Sequence, residues 1–160
     1  NLDFSNEKEA NKIRENIAKY SNEKCYFTSI EYLNYKNIFN NEQIKDISDY
    51  HVVLISGIAN TDTLTTYLDN KTTIIKHFKF KDHYNFSEKD INKILLYYNS
   101  IRKIKTLILT TEKDSIRLLK FEQKFKNILV YYLPIKIQFQ NQSSFDKELK
   151  EYVRTNKRNS

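Results

Sequence analysis

His51-Val52-Val53-Leu54-Ile55-Ser56-Gly57 is a nearly continuous apolar run that ends in the only glycine of this 160-residue chain. A run of this kind suits a strand buried on both faces of a parallel sheet. A chain that uses glycine once needs it for a backbone turn or for a close approach that a Cβ would block. A simple strand-to-helix turn is the alternative. Ile58-Ala59-Asn60-Thr61 then leads into a short helix predicted over Asp62–Leu68.

The pattern repeats downstream. Thr72–Phe80 is predicted as a strand, Lys81–Phe86 as a loop and Ser87–Ile101 as a helix, with Asp90 at its third position and Ile91, Ile94, Leu95 and Tyr98 on one face. Lys105–Leu109 is the next strand, and it runs into Thr110-Thr111-Glu112-Lys113-Asp114. Thr111 can cap a helix whose third position is Asp114; that helix continues through Ile116, Leu118 and Leu119. Ile128–Leu133 is a strand stopped by Pro134, and Ile135–Phe139 a further one. Ser143, three residues before Asp146, opens a last helix to about Val153, and Arg154–Ser160 is expected to be a disordered tail. Strands alternating with helices argue for a mainly parallel, helix-covered α/β sheet of Rossmann-like type.

Upstream, Ser5 can cap a helix with Glu7 and Glu9 in its first turn, and Ala10, Ile13, Ile17 and Tyr20 form its apolar face. Cys25–Tyr32 reads as a strand. Tyr35–Asp49, polar and rich in asparagine, is expected to be a connector. The organisation expected is a closing helix and strand of another domain over 1–33, a connector over 34–49 and a Rossmann-like domain over 50–160.

Composition narrows the function classes. The formal charge is +7, yet acids and bases are interleaved, so no basic arm for nucleic acid is indicated. The excess suits anionic partners such as phosphates or acidic lipid surfaces. A single cysteine, Cys25, excludes an internal disulfide and fits a reducing compartment. No apolar run approaches the roughly 20 residues of a membrane span, and no signal peptide is present, so the chain is expected to be cytosolic. Methionine is absent, and the chain is expected to be a piece of, or processed from, a longer protein.

Three turns follow predicted strands: Ser56-Gly57-Ile58-Ala59-Asn60, Lys81-Asp82-His83-Tyr84 and Thr110-Thr111-Glu112-Lys113-Asp114. In a parallel sheet they emerge at one edge, where ligands usually bind. Asp82 and His83 set a carboxylate beside an imidazole there, a pair suited to proton transfer. Thr111, Lys113 and Asp114 can either bind a phosphate or only cap a helix and pair with an acid. Gly57 and Asn60 are expected to shape a cleft wall. His51 and His77 sit within strand patterns and are expected to be structural.

Taken in order, the three turns resemble the C-terminal half of the tetraacyldisaccharide 4′-kinase family, the lipid A 4′-kinases of Gram-negative bacteria. That family carries a Gly-Ile-(Ala/Gly)-Asn turn, an Asp-His-His/Tyr turn and Thr-Thr-Glu-Lys-Asp in this order. Glu9–Tyr20 and Phe27-Thr28-Ser29 resemble the preceding segment in relatives from Bacteroidetes-type bacteria, so the resemblance covers nearly the whole chain. Thr61 departs from it, standing where the family often has proline. The resemblance implies a P-loop kinase that uses ATP and Mg²⁺ to phosphorylate the 4′-hydroxyl of a lipid A disaccharide precursor, tetraacyldisaccharide 1-phosphate, at the cytoplasmic face of the bacterial inner membrane, an anionic surface. It implies that the P-loop, the Mg²⁺ ligands and the carboxylate base belong to an N-terminal domain. No Gly-x-x-x-x-Gly-Lys-Ser/Thr occurs here, so the chain alone is expected to be inactive, with no metal ligand of its own. His83, supported by Asp82, maps onto the family histidine thought to pair with that carboxylate. A non-catalytic α/β module that binds an anionic ligand or an acidic partner is the alternative.

Overall fold

The computed structural model describes residues 7–21, 24–101 and 104–156. The chain divides into two compact units, Tyr32–Ile135 and, separately, Asn1–Glu31 with Lys136–Ser160.

The larger unit is built on a six-stranded sheet. Its strands are β2 (Tyr35–Asn37), β3 (Gln43–Ile44), β4 (His51–Ser56), β5 (Thr73–Lys79), β6 (Thr106–Thr111) and β7 (Val130–Leu133). Across the sheet the order is β3-β2-β7-β6-β4-β5. β4, β5, β6 and β7 are parallel, whereas β2 is antiparallel to both β3 and β7. Val52, Val53, Leu54 and Ile55 of β4 have no solvent exposure, as a strand with both faces covered requires. Each such side chain stabilises the fold by roughly 1.5–3 kcal/mol relative to an exposed one.

The strand order fixes where the helices lie. From β4 the chain passes through α2 (Asp62–Asp69) to β5 on one side, then returns through α3 (Glu88–Ser100) to β6 on the other side of β4. Right-handed crossovers in opposite directions put their helices on opposite faces. Leu64 and Leu68 of α2 accordingly pack with Val52, Leu54, Leu107 and Leu109. On the other face, Ile91 and Ile94 of α3 join Val53, Ile55 and Ile108. The same cluster takes Leu118 from α4 (Glu112–Leu118), and Phe121 and Phe125 from the 3₁₀ segment Leu119–Phe125.

All three helices expected in this unit are present, and both expected caps are made. Ser87 and Asp90 form a reciprocal capping box on α3, and Thr111 accepts a hydrogen bond from the Asp114 N–H at the start of α4.

The expected connector is different. Tyr35–Asn37 and Gln43–Ile44 inside it are strands, and Tyr35, Asn37, Ile38 and Ile47 are buried. The asparagines that gave it a polar reading make the turn. The Asn37 Oδ1 accepts from the Phe39 and Asn40 N–H groups, and Asn41 adopts φ 62°. The expected domain start at residue 50 therefore falls inside the compact unit.

The smaller unit holds α1 (Glu7–Ala18), the two-stranded sheet of β1 (Thr28–Tyr32) and β8 (Ile135–Phe139), and α5 (Gln142–Asn156). Phe139 stacks on Phe145 at 4.3 Å between ring centroids, and Arg14 lies over the ring of Phe27. β8 and α5, expected within the Rossmann-like domain, thus group with the amino-terminal elements. The expected Ser5 cap lies outside the described residues. α5 begins one residue before Ser143, with Asn141 Oδ1 accepting from the Ser144 N–H. Arg154, Thr155 and Asn156, expected in a disordered tail, form its last turn, where the Thr155 hydroxyl donates to the Glu151 carbonyl.

Candidate active site

Chain order reverses between β4 and β6: the connection from β4 leads to one side of the sheet and the connection from β6 to the other. Loops leaving adjacent strands in opposite directions open a crevice at their carboxyl ends, the usual ligand position in open α/β sheets. Here the crevice is bridged by Asp114, which is fully buried. Its Oδ2 accepts from the Gly57 N–H at 2.7 Å and from the Thr111 hydroxyl at 2.8 Å. Its Oδ1 accepts from Arg117 Nη1 at 3.0 Å.

This arrangement explains the single glycine. A Cβ on Gly57 would lie 3.1 Å from Asp114 Oδ1 and 3.2 Å from the Lys81 carbonyl oxygen. Its φ is not positive, so close approach, and not an unusual backbone angle, requires glycine there. Gly57, Thr111 and Asp114 thus form one hydrogen-bonded strut beneath the site.

The loop after β5 lies above that strut. His83 has φ 59°, a left-handed conformation that costs a residue with a side chain about 1–2 kcal/mol. The Asp82 carboxylate braces it: Oδ1 accepts from the His83 backbone N–H at 2.9 Å and from Lys113 Nζ at 2.7 Å. The hydrogen bond from Lys113 holds the Asp82 carboxyl below its ordinary range, with the His83 and Lys113 charges adding to the effect. The His83 side chain remains 73% exposed. Its Nε2 lies 3.2 Å from Lys113 Nζ and its Nδ1 3.4 Å from Arg117 Nη2.

The structure therefore brings His83, Asp82 and Lys113 into one cluster, with Asp114, Thr111 and Gly57 supporting it from below. Asn60 holds its own turn, where Oδ1 accepts from the Asp62 N–H at 2.7 Å at the entrance to α2. Arg117 escaped the sequence reading. The available signal was its spacing: on a helix, positions three and four residues beyond Asp114 and Lys113 share a face with them. His77, within β5 as expected, has Nε2 2.7 Å from Ser56 Oγ, and burial pushes its pKa down.

Chemically, the cluster offers an exposed imidazole on a strained backbone, two cations and one accessible carboxylate. Such a set can orient a proton-transfer partner and attract phosphate oxygens. Among the described residues, no three His, Cys, Asp or Glu side chains converge as a metal-binding group. No described helix is long and apolar enough to cross a membrane.

Comparison with known proteins places the chain. A tetraacyldisaccharide 4′-kinase of Bacteroides fragilis is 33% identical over 160 residues, covering 93% of this chain. One of Phocaeicola vulgatus is 32% identical over 156 residues, covering 92%. The chain spans 43% of the length of each relative. A crystal structure of LpxK from Aquifex aeolicus in complex with ATP shares the fold, with TM-score 0.51 and 19% identity, over 82% of this chain and 37% of that one. The family model described as tetraacyldisaccharide-1-P 4′-kinase matches residues 3–154, so the chain belongs to the tetraacyldisaccharide-1-P 4′-kinase family.

Proposed function

We propose that this chain is the C-terminal part of a lipid A 4′-kinase that transfers the γ-phosphoryl group of ATP to the 4′-hydroxyl of tetraacyldisaccharide 1-phosphate. The observation that carries the reading is the cluster at the carboxyl edge: His83, exposed and held at φ 59°, beside Asp82 and Lys113. Strained residues of this kind gather at functional sites.

The attacking sugar hydroxyl must lose its proton. His83 orients the carboxylate base that the N-terminal part of the kinase supplies, a contribution worth about 10²–10⁴-fold for acid–base catalysis. Asp82 is a supporting residue: it fixes the His83 backbone and pins Lys113 by an ion pair. Lys113 and Arg117 suit the oxygens of a phosphate as point charge and fork respectively. Gly57, Thr111 and Asp114 set the distance between the two loops, and Asn60 shapes the turn beside them.

Residues 1–33 are proposed to close the P-loop domain, and Mg²⁺ is proposed to be held by residues outside this chain. When bound, the ion neutralises charge building on the phosphates. The setting is proposed to be the cytoplasmic face of the inner membrane, where the basic excess favours an anionic lipid surface.

The test uses this chain alone, given ATP, Mg²⁺ and the disaccharide. No phosphorylated product is expected, and product is expected once a Gly-x-x-x-x-Gly-Lys-Ser/Thr domain, encoded upstream of Asn1, is present. Turnover by the chain alone contradicts the reading. A second reading, an anion-binding module without catalysis, draws on the same two cations. ATP binding without transfer by the intact protein would favour it.

A further inference from the structure

The imidazole of His83 faces a cation at each ring nitrogen, Lys113 at Nε2 and Arg117 at Nδ1. A neutral imidazole has one acceptor nitrogen and one N–H, whereas lysine and arginine only donate. The ring can therefore satisfy one of the two. Lys113 already has a good acceptor in Asp82 Oδ1 at 2.7 Å. Arg117 spends Nη1 on the buried carboxylate of Asp114, and that contact aims Nη2 at Nδ1.

The surrounding charges separate the two tautomers. A proton on Nε2 faces the Lys113 ammonium at 3.2 Å, but that charge is paired with the Asp82 carboxylate, whose Oδ2 lies 3.7 Å from Nε2 as a favourable electrostatic neighbour. A proton on Nδ1 would face the guanidinium. We propose that Arg117 is a positioning residue: held by Asp114, it donates to His83 Nδ1 and keeps the imidazole as the Nε2–H tautomer. Arg117 is suited to this, because its side chain is only 24% exposed and the fork is fixed by a fully buried partner.

The consequence for catalysis rests on the kinase reading above. On a side chain that is 73% exposed, an Nε2–H offers a donor to an incoming carboxylate base and holds it in place, as the histidine-orienting carboxylate of a catalytic triad does with roles exchanged. The chain of contacts then runs from Gly57 through Asp114 and Arg117 to His83. It ties the loop after β4 to the loop after β5 by way of α4.

The test is the ¹⁵N signature of the imidazole, read at pH 8 by long-range proton–nitrogen correlation in this chain. Wild type is expected to show an unprotonated acceptor Nδ1 and a protonated Nε2. Arg117→Lys keeps a cation beside Asp114 but falls short of His83, and Arg117→Met removes the donor. Both are expected to move the signals toward mixed tautomers while amide resonances elsewhere stay in place. If Arg117→Met fails to fold, Arg117→Lys carries the test. A proton on Nδ1 in wild type, or an unchanged tautomer ratio in the variants that fold, overturns the proposal. In the intact kinase the same variants are expected to lower kcat about tenfold or more, with KM for ATP unchanged. A tautomer shift with no loss of kcat would uphold the role of Arg117 and count against the catalytic role of His83.

Discussion

The two ends of the parallel sheet differ in a way that separates room from chemistry. At the amino end, the β2–β3 turn and the segment before β7 enclose an open cleft of about 480 Å³, lined by Asn37, Phe39, Glu42, Glu122, Lys126 and Ile128 among others. Its two residues of positive φ, Asn41 at 62° and Asn127 at 65°, are of a type that adopts this angle readily, and Asn37 satisfies two backbone N–H groups of the β2–β3 turn. At the carboxyl end, the crevice is bridged by the buried carboxylate of Asp114. There the strained residue is a histidine whose side chain faces solvent between two cations. Strain at the amino end completes a turn, whereas strain at the carboxyl end presents a titratable side chain.

The strut is the feature on which this contrast depends, so its removal has the largest expected effect. Asp114→Ala leaves the Arg117 charge largely buried and strips the Gly57 N–H and the Thr111 hydroxyl of their acceptor. A loss of roughly 3–5 kcal/mol is expected, measured by urea unfolding of the chain. A loss below about 1 kcal/mol would mean that the bridge is incidental. Gly57→Ala drives a Cβ to 3.1 Å from the same carboxylate, and a cost of about 1–3 kcal/mol is expected from overpacking. Unchanged stability there would show that the loops can part freely.

The amino end supplies the contrasting expectation. Asn41→Val puts a β-branched residue at φ 62°, with an expected cost of about 1–2 kcal/mol, whereas Asn41→Gly stays within about 0.5 kcal/mol of wild type. Neither is expected to alter turnover of the intact kinase. A turnover loss in Asn41→Gly would give the amino end a role that the comparison denies it.

The smallest expected effect is a pH dependence from His77. Burial lowers its pKa in the folded chain, so the unfolded chain binds the proton more readily. The stability this residue contributes is fully present above the ordinary histidine value of about 6.5, and is lost as pH falls through that value toward the lowered one. Unfolding midpoints at pH 8 and pH 5.5 should differ less in His77→Gln than in wild type.

How much of this was legible beforehand depended on whether a signal was local. Val52–Ile55 and Leu107–Leu109 announced buried parallel strands because both faces are apolar, and Ser87 and Thr111 announced helix starts because a cap and its third position lie in one turn. Gly57 was recognisable as necessary, but the atom it makes room for lies 57 residues away. The β2 and β3 strands were hidden because they are only three and two residues long, and the asparagines that read as irregular end one strand (Asn37) or make the tight turn between the two (Asn40 and Asn41). Phe121 and Phe125 sit in a 3₁₀ segment with a kink at Phe121, just beyond the helix expected to run through Leu119. Arg117 was not singled out, because its contact with His83 comes from α4 packing against a loop 34 residues away in sequence.

Turnover of the intact kinase, measured with His83→Ala at the carboxyl end against Lys126→Ala at the amino end, separates the two ends most directly. Both side chains are exposed, and both variants should fold like wild type. A fall of about 10²-fold or more is expected for His83→Ala and a change within about twofold for Lys126→Ala. Wild-type turnover in His83→Ala would contradict the catalytic role of His83.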